Sequence, residues 1–339
     1  MLAAAVTPQE RPVFRGGTDV VSVTVAVSDK KRPITGLTRA DFSLTDRGAP
    51  QTIDDLDVGR APLDVTVIVE MQLGSTRAWW RQYRDDAISM SSRLRPVDRL
   101  DVILSTDSGV YAISRTAGGT PPSVDVAGID WNGFGQLARV PQVGILNQGP
   151  DRRPPEDYGT GGGTGGSGAP TYDATALALI QPAEGERRRL VLVFTNGKDT
   201  SSLVATNLLE PIARRTEAVL YLLRPGPDPL RTAERPSDPR QLVMTRALRP
   251  PLAMSALDRL AEVTGGTTIF QASGFSKFGP GSYSKAFDQA FDLFTKGYVL
   301  RYRPRDVLER GWHDIKVIVP ARPAYNVRAR SGYYWTEPK

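Results

Sequence analysis

Leu190-Val191-Leu192-Val193-Phe194-Thr195 is the stretch on which the fold turns. A strand with one face in water alternates apolar and polar residues. This one does not, so both of its faces are covered, as in a mostly parallel sheet with helices above and below. Val65 to Val69 reads the same way. Between and after these runs, strand and helix patterns alternate. Trp80, Tyr83, Ala87, Met90 and Leu94 recur at helical spacing in Trp79 to Leu94. Leu100 to Leu104 and Val110 to Ile113, joined by Asp107-Ser108-Gly109, read as a hairpin and give one antiparallel pair. A helix over Tyr172 to Ile180 comes next, then one ending near Arg215, strand Val219 to Leu223, helix Ala256 to Thr264, strand Thr267 to Phe270 and helix Tyr283 to Phe294. Ser255 and Asp258 form a capping pair for the third of these helices, and Gly265-Gly266 ends it. Such alternation predicts a doubly wound α/β fold, because parallel strands need right-handed crossovers.

Both ends of the chain break this rhythm. Val21, Val23, Val25 and Val27 alternate with small or polar residues, the period of a half-buried strand. Phe42 to Thr45 and Gln51 to Asp57 read as two more strands, separated by the turn Asp46-Arg47-Gly48. After the last helix, Tyr298 to Tyr302, Asp314 to Val319 and Val327 to Tyr334 return to β character. Neither set buries a hydrophobic face alone, so the two sets are expected to pair into one small β-sandwich with the α/β domain inserted between them. The division that follows is a disordered segment over 1–13, sandwich strands in 14–61, the α/β domain in 62–296 and the remaining sandwich strands in 297–339. Two long loops fit no element. Residues 117–170 end in the glycine run Gly159 to Gly168, which has the composition of a flexible tether, and 224–251 is broken by repeated prolines.

Composition sets outer limits. With 40% hydrophobic and 24% charged residues the chain is of globular type. No run of about twenty apolar residues occurs, which predicts no transmembrane helix. There is no cysteine, so thiolate chemistry and cysteine metal sites are excluded. Met1 to Val6 lack the basic start and apolar core of a signal peptide, leaving open that they are the remnant of a longer one. The net charge of +6 is dispersed. Its one tight run, Arg187-Arg188-Arg189, reads as a solvated strand start, and no basic segment is interleaved with aromatics, so no nucleic-acid partner is expected.

Enzymatic signatures fail on context. Gly161, Gly163 and Gly166 match a dinucleotide fingerprint but follow no strand. Gly197-Lys198 is followed by Asp199 and preceded by Leu192 where a phosphate loop needs glycine. Gly165, Ser167 and Ala169 approximate a nucleophile elbow without its strand. His313, the single histidine, reads as a packed or surface residue. No catalytic residue and no cofactor is assigned, and the chain is read as not an enzyme.

Local phrases add a resemblance. Gly36-Leu37-Thr38-Arg39-Ala40-Asp41-Phe42-Ser43-Leu44, Leu94-Arg95-Pro96-Val97-Asp98-Arg99, Val191 to Ser202, Leu260 to Gly266, Tyr298 to Pro304 and Val327 to Tyr334 occur in an order that resembles the bacterial von Willebrand factor A-related family. That resemblance implies a metal-dependent adhesion site built from an Asp-x-Ser-x-Ser loop, a threonine and a later aspartate, which are hard oxygen ligands for Mg²⁺ or Mn²⁺. Here Glu70, Gln72 and Gly74 stand in the first loop, the threonine position falls near Ala169, and Asn196 replaces the aspartate. Every position departs from the pattern, so the site is expected to be degenerate and metal-free. Glu70 is then compensated by protein groups: the amides of Gln72 and Asn196, with Lys198 or Arg77 supplying positive charge. A substitute metal site would need Asp173 or Asp199, whose plainer roles are a helix-start cap and a surface loop charge. The resemblance implies a non-enzymatic protein-binding or scaffolding domain, secreted or periplasmic. A metal-dependent adhesion module with substitute ligands, and an enzyme of unknown reaction, are the alternatives.

Overall fold

The computed structural model describes residues 20–59, 61–71, 85–86, 88–106, 109–115, 169–182, 185–195, 199, 201–224, 256–271, 283–306 and 309–335. The expectations for 1–13, for the glycine run, for nearly all of 117–170 and 224–251, and for the first part of the Trp79 helix lie outside them.

The chain opens with β1 (Val21–Asp29) and the short β2 (Arg32–Pro33), then β3 (Ser43–Asp46), β4 (Ala49–Gln51) and β5 (Asp55–Val58). The α/β part follows with β6 (Leu63–Met71), β7 (Arg99–Thr106), β8 (Gly109–Arg115), α1 (Thr171–Ile180), β9 (Arg188–Phe194), α2 (Thr206–Arg215), β10 (Val219–Arg224), α3 (Ala256–Val263), β11 (Thr268–Phe270) and α4 (Ser284–Thr295). Four strands close the chain: β12 (Tyr298–Tyr302), β13 (Gly311–Ile318), β14 (Asn326–Ala329) and β15 (Gly332–Trp335).

The central sheet has the order β11-β10-β9-β6-β7-β8. All its pairs are parallel except β7 with β8. Every residue of β9 is buried, as its unbroken apolar run requires. Odd-numbered side chains of β6, such as Val65 and Val67, meet Phe287, Phe291 and Phe294 of α4 in one cluster. Ile68 and Val191 turn the other way, into a cluster with α1, α2 and α3. The sheet is thus doubly wound, with helices on both faces. The glycines expected to stop α3 do so for a steric reason. Gly265 has φ +86°, and a Cβ on Gly266 would lie 1.8 Å from the carbonyl oxygen of Leu220 in β10.

The strands at the two ends pair with each other, as expected. β1 lies antiparallel between β12 and β14, and β3 pairs β13. They make two antiparallel sheets, β14-β1-β12-β5 with β2 attached, and β15-β13-β3-β4. Val23, Val25 and Val27 from the first sheet and Leu44, Ile315 and Val317 from the second share one hydrophobic cluster. Two expected strands are corrected. Gln51 to Asp57 is two strands, β4 and β5, in different sheets. The Gln51 side chain breaks the run by donating to the Arg305 carbonyl at 3.0 Å and accepting the Arg305 N–H at 2.9 Å. Val327 to Tyr334 likewise splits into β14 and β15. Between them the Ser331 N–H donates to the Val263 carbonyl of α3 at 3.0 Å, which carries the chain from one sheet to the other.

His313 is fully buried in this antiparallel region. Its Nδ1 lies 2.9 Å from Asp46 Oδ1, and its Nε2–H donates to the Glu309 carbonyl at 2.6 Å. The hydroxyls of Tyr302 and Tyr333 both donate to Asp46 Oδ2 at 2.8 Å. Burial, together with the neighbouring Asp46 carboxylate, pushes both phenols well above the usual tyrosine range.

Candidate functional site

The order of the parallel sheet reverses between β6 and β9, and in open α/β sheets the crevice beyond the carboxyl ends of such strands is where ligands bind. Glu70 is the second-last residue of β6 and Thr195 follows β9, so both reach this crevice. Glu70 is 7% exposed. Its Oε2 accepts the Thr171 hydroxyl at 3.2 Å and, more closely, the Thr195 hydroxyl. Ser105, the register partner of Glu70 in β7, is fully buried and its Oγ has no hydrogen-bond partner. A carboxylate in this position must be hydrogen-bonded to stay ionised, and threonine hydroxyls from a flanking helix and strand do part of that.

Ala169 is fully buried, with no polar side chain to offer. From this segment the hydroxyl that reaches Glu70 belongs to Thr171, two residues on. Gln72, Gly74, Arg77, Asn196 and Lys198 lie outside the described residues. Sequence reasoning missed Thr171 and Thr195 as partners of Glu70. The signal available was their position, the start of α1 and the end of β9.

Asp173 and Asp199 exchange the roles expected of them. Asp199 Oδ2 accepts the N–H of Tyr172 in the first turn of α1 at 2.7 Å, and the Ser202 hydroxyl at 2.6 Å. Its Oδ1 accepts the N–H groups of Ser201 and Ser202. Asp199 therefore caps the helix from a loop distant in sequence. Asp173, already inside that helix, turns back to accept Leu203 N–H at 3.0 Å and Val204 N–H at 2.8 Å. It holds the loop, not the helix. The Asp173 N–H in turn donates to Ser202 Oγ at 3.1 Å.

Two phenols feel these charges. Burial raises the pKa of Tyr172, with Asp199 and Glu70 adding to it. Tyr283, beside Phe194 at 5.2 Å between ring centroids, is raised by burial and then by Glu70 and Asp86. Among the described residues no group of three or more His, Asp or Glu side chains converges on a point where a metal ion would sit.

No protein-family model matches the sequence, and no curated protein does. Solved structures do match in architecture. A von Willebrand factor type A structure from Catenulispora acidiphila is 8% identical over 96% of this chain and 76% of its own, with a TM-score of 0.37. The chain is similar to this structure in architecture. Two further structures align with the chain. BatB from Bacteroides thetaiotaomicron is 13% identical over 68% of this chain and 98% of its own, at 0.36. Proximal thread matrix protein 1 from the mussel byssus, with zinc in its MIDAS motif, is 11% identical over 74% of this chain, at 0.41. This chain spans about half of the mussel structure, 49% of its length. Identities this low describe architecture and carry neither ligand nor partner. No helix among the described residues is long and apolar enough to cross a membrane.

Proposed function

We propose that this chain is a non-enzymatic binding or scaffolding domain of von Willebrand factor A type, which recognises a protein partner through the loops at the carboxyl edge of its parallel sheet and does so without a metal ion. The antiparallel sheets are read as one β-sandwich that carries the inserted domain, with 14–61 and 297–339 contributing its strands. The setting is secreted or periplasmic, in line with the family resemblance.

One observation carries the metal-free reading. The acidic groups at this edge are engaged by the protein itself: Glu70 by two threonine hydroxyls, Asp199 and Asp173 by backbone N–H groups. A divalent cation would need at least two of these carboxylates to turn away from such donors, and Mg²⁺ tolerates little departure from octahedral geometry. In an adhesion module using substitute ligands, Asp173 or Asp199 would have to release α1 or its neighbouring loop.

Thermal unfolding with Mg²⁺ or Mn²⁺ tests this. A site saturated at about a hundred times its dissociation constant adds roughly 2.7 kcal/mol, or several degrees in melting temperature. The expected outcome is no shift beyond that of NaCl at equal ionic strength. An EDTA-reversible rise that vanishes in Glu70→Ala would establish the metal-dependent alternative.

A further inference from the structure

His313 is the single histidine of the chain, and its surroundings in the antiparallel region fix where its hydrogens sit. Nε2 faces the Glu309 carbonyl at 2.6 Å, an oxygen that only accepts, so Nε2 carries a hydrogen. Nδ1 faces Asp46 Oδ1 at 2.9 Å, and an ionised carboxylate also only accepts. One further hydrogen is therefore needed between Nδ1 and Oδ1. It belongs to the ring if Asp46 is ionised and to the carboxyl if it is not. The other oxygen of Asp46 decides between them, because Oδ2 accepts the hydroxyls of both Tyr302 and Tyr333 at 2.8 Å, and two such donors favour the charged form.

Asp46 and His313 are both fully buried. Among the described residues no lysine or arginine pairs with Asp46. Arg47, next in sequence, turns outward to the exposed Glu309 carboxylate at 2.7 Å. Arg330, between β14 and β15, lies within electrostatic reach of Tyr302 but gives its Nε–H to the Gly332 carbonyl at 2.6 Å. A buried carboxylate with no counter-charge is costly, and an imidazolium at hydrogen-bond distance supplies one. The groups also come from both antiparallel sheets. Asp46 of β3, His313 of β13 and Tyr333 of β15 share one sheet, and Tyr302 reaches them from β12 in the other.

We propose that the Asp46–His313 pair holds a proton that the unfolded chain gives up, with both ring nitrogens of His313 protonated in the folded core, and that this proton makes the antiparallel region a pH-sensitive latch. Without it Nδ1 and Asp46 Oδ1 are two acceptors face to face, and the residue that holds the Tyr302 hydroxyl of the opposite sheet becomes an uncompensated buried charge. A free histidine loses its proton near pH 6.5. Above that pH the folded state therefore binds one proton more than the unfolded state. The latch is complete below about pH 6.5 and weakens as pH rises, by about tenfold in the folding constant per pH unit, until the pair itself releases the proton. With one histidine and no cysteine, the chain has no other side chain of ordinary acidity that titrates between about pH 6.5 and 8.

The test is nuclear magnetic resonance of the full chain carrying nitrogen-15 histidine, in which a single imidazole reports. At about pH 8 the folded protein is expected to show hydrogens on both ring nitrogens, while the same ring in urea titrates near pH 6.5. A single ring N–H at that pH, or a midpoint near 6.5 in the folded protein, overturns the proposal. Urea denaturation adds a second readout: between about pH 6.5 and 8 the folding constant is expected to fall roughly thirtyfold. Asp46→Asn, whose amide carries no charge to hold an imidazolium, and His313→Gln are each expected to remove that dependence. A folding constant that stays flat in the unaltered chain, or a fall that persists in either variant, also overturns it. If neither variant folds, the ring nitrogens of the unaltered chain decide.

Discussion

The two edges of the parallel sheet bury opposite charges and treat them differently. At the carboxyl edge, Glu70 meets hydroxyls from α1 and from the residue after β9. At the amino edge, Arg188 meets one carbonyl and keeps two nitrogens unpartnered. A buried charge whose acceptors or donors are filled by the chain is part of the architecture. One left unfilled carries a standing cost, so the edge that fold analogy marks as the binding side is the more self-sufficient of the two. A third site, Asp46 with His313, shows the balanced case, in which an imidazole and two phenols fill the oxygens of one buried side chain.

The balanced site should give the largest effect. Asp46→Ala leaves the His313 Nδ1 and two tyrosine hydroxyls buried without their common partner, and breaking a buried pair costs about 3–5 kcal/mol. Chemical denaturation should show this loss; a value under about 1 kcal/mol would mean that the network is no anchor and the comparison lacks its reference. At the carboxyl edge Glu70→Ala removes the acceptor that the Thr171 and Thr195 hydroxyls share and should cost about 2 kcal/mol, whereas Glu70→Gln keeps an acceptor oxygen and should cost about half as much. Equal losses would show that charge, not hydrogen bonding, matters at Glu70.

Alkali probes the balanced site from another side. Tyr302 and Tyr333 stay neutral in the folded state above the pH, near 10, at which the unfolded chain ionises them. Above that pH the folded state binds more protons than the unfolded one, so the stability that the two phenols contribute is complete below about pH 10 and declines above it, by about 1.4 kcal/mol per pH unit for each phenol. Tyr302→Phe should flatten that decline, and an unchanged slope would assign it to other groups. The smallest effect is expected at the amino edge, with the opposite sign. Arg188→Met removes an unmatched buried charge while keeping an unbranched apolar stem, and should leave the protein as stable or stabilise it by about 1 kcal/mol. A loss of 2 kcal/mol or more would place Arg188 beside Glu70 as a fully integrated residue.

The winding of the sheet was legible because burial on both faces writes itself into contiguous residues, as in Val65 to Val69 and Leu190 to Thr195. The changes of sheet at 52–54 and 330–331 were not. From Val327 to Tyr333 the alternation runs on unbroken, and at the first change only the doubled Asp54-Asp55 interrupts it; a period of two says which face is buried without saying against which sheet. Glu70 could be found from its place at a strand end. Its partners Thr171 and Thr195 lie more than a hundred residues away, and which of several nearby hydroxyls arrives depends on how α1 is docked. Arg188 and Arg189 were misread for the converse reason: a run of charge looks like surface until a distant part of the chain covers it.

The pairing of the first strand with the last ones also imposes an order in time. β1 has no long neighbour of its own era in synthesis; its main partners, β12 and β14, lie near the other end of the chain. At translation rates of about 5–20 residues per second, Val21 to Asp29 leave the ribosome roughly 15–50 s before Tyr298 to Tyr302. For that interval an alternating valine strand is exposed with both edges open, the kind of segment that seeks any available strand. The α/β unit needs no such wait, so the domain lying between the two halves of the antiparallel region can be complete while the region that holds it is still half made.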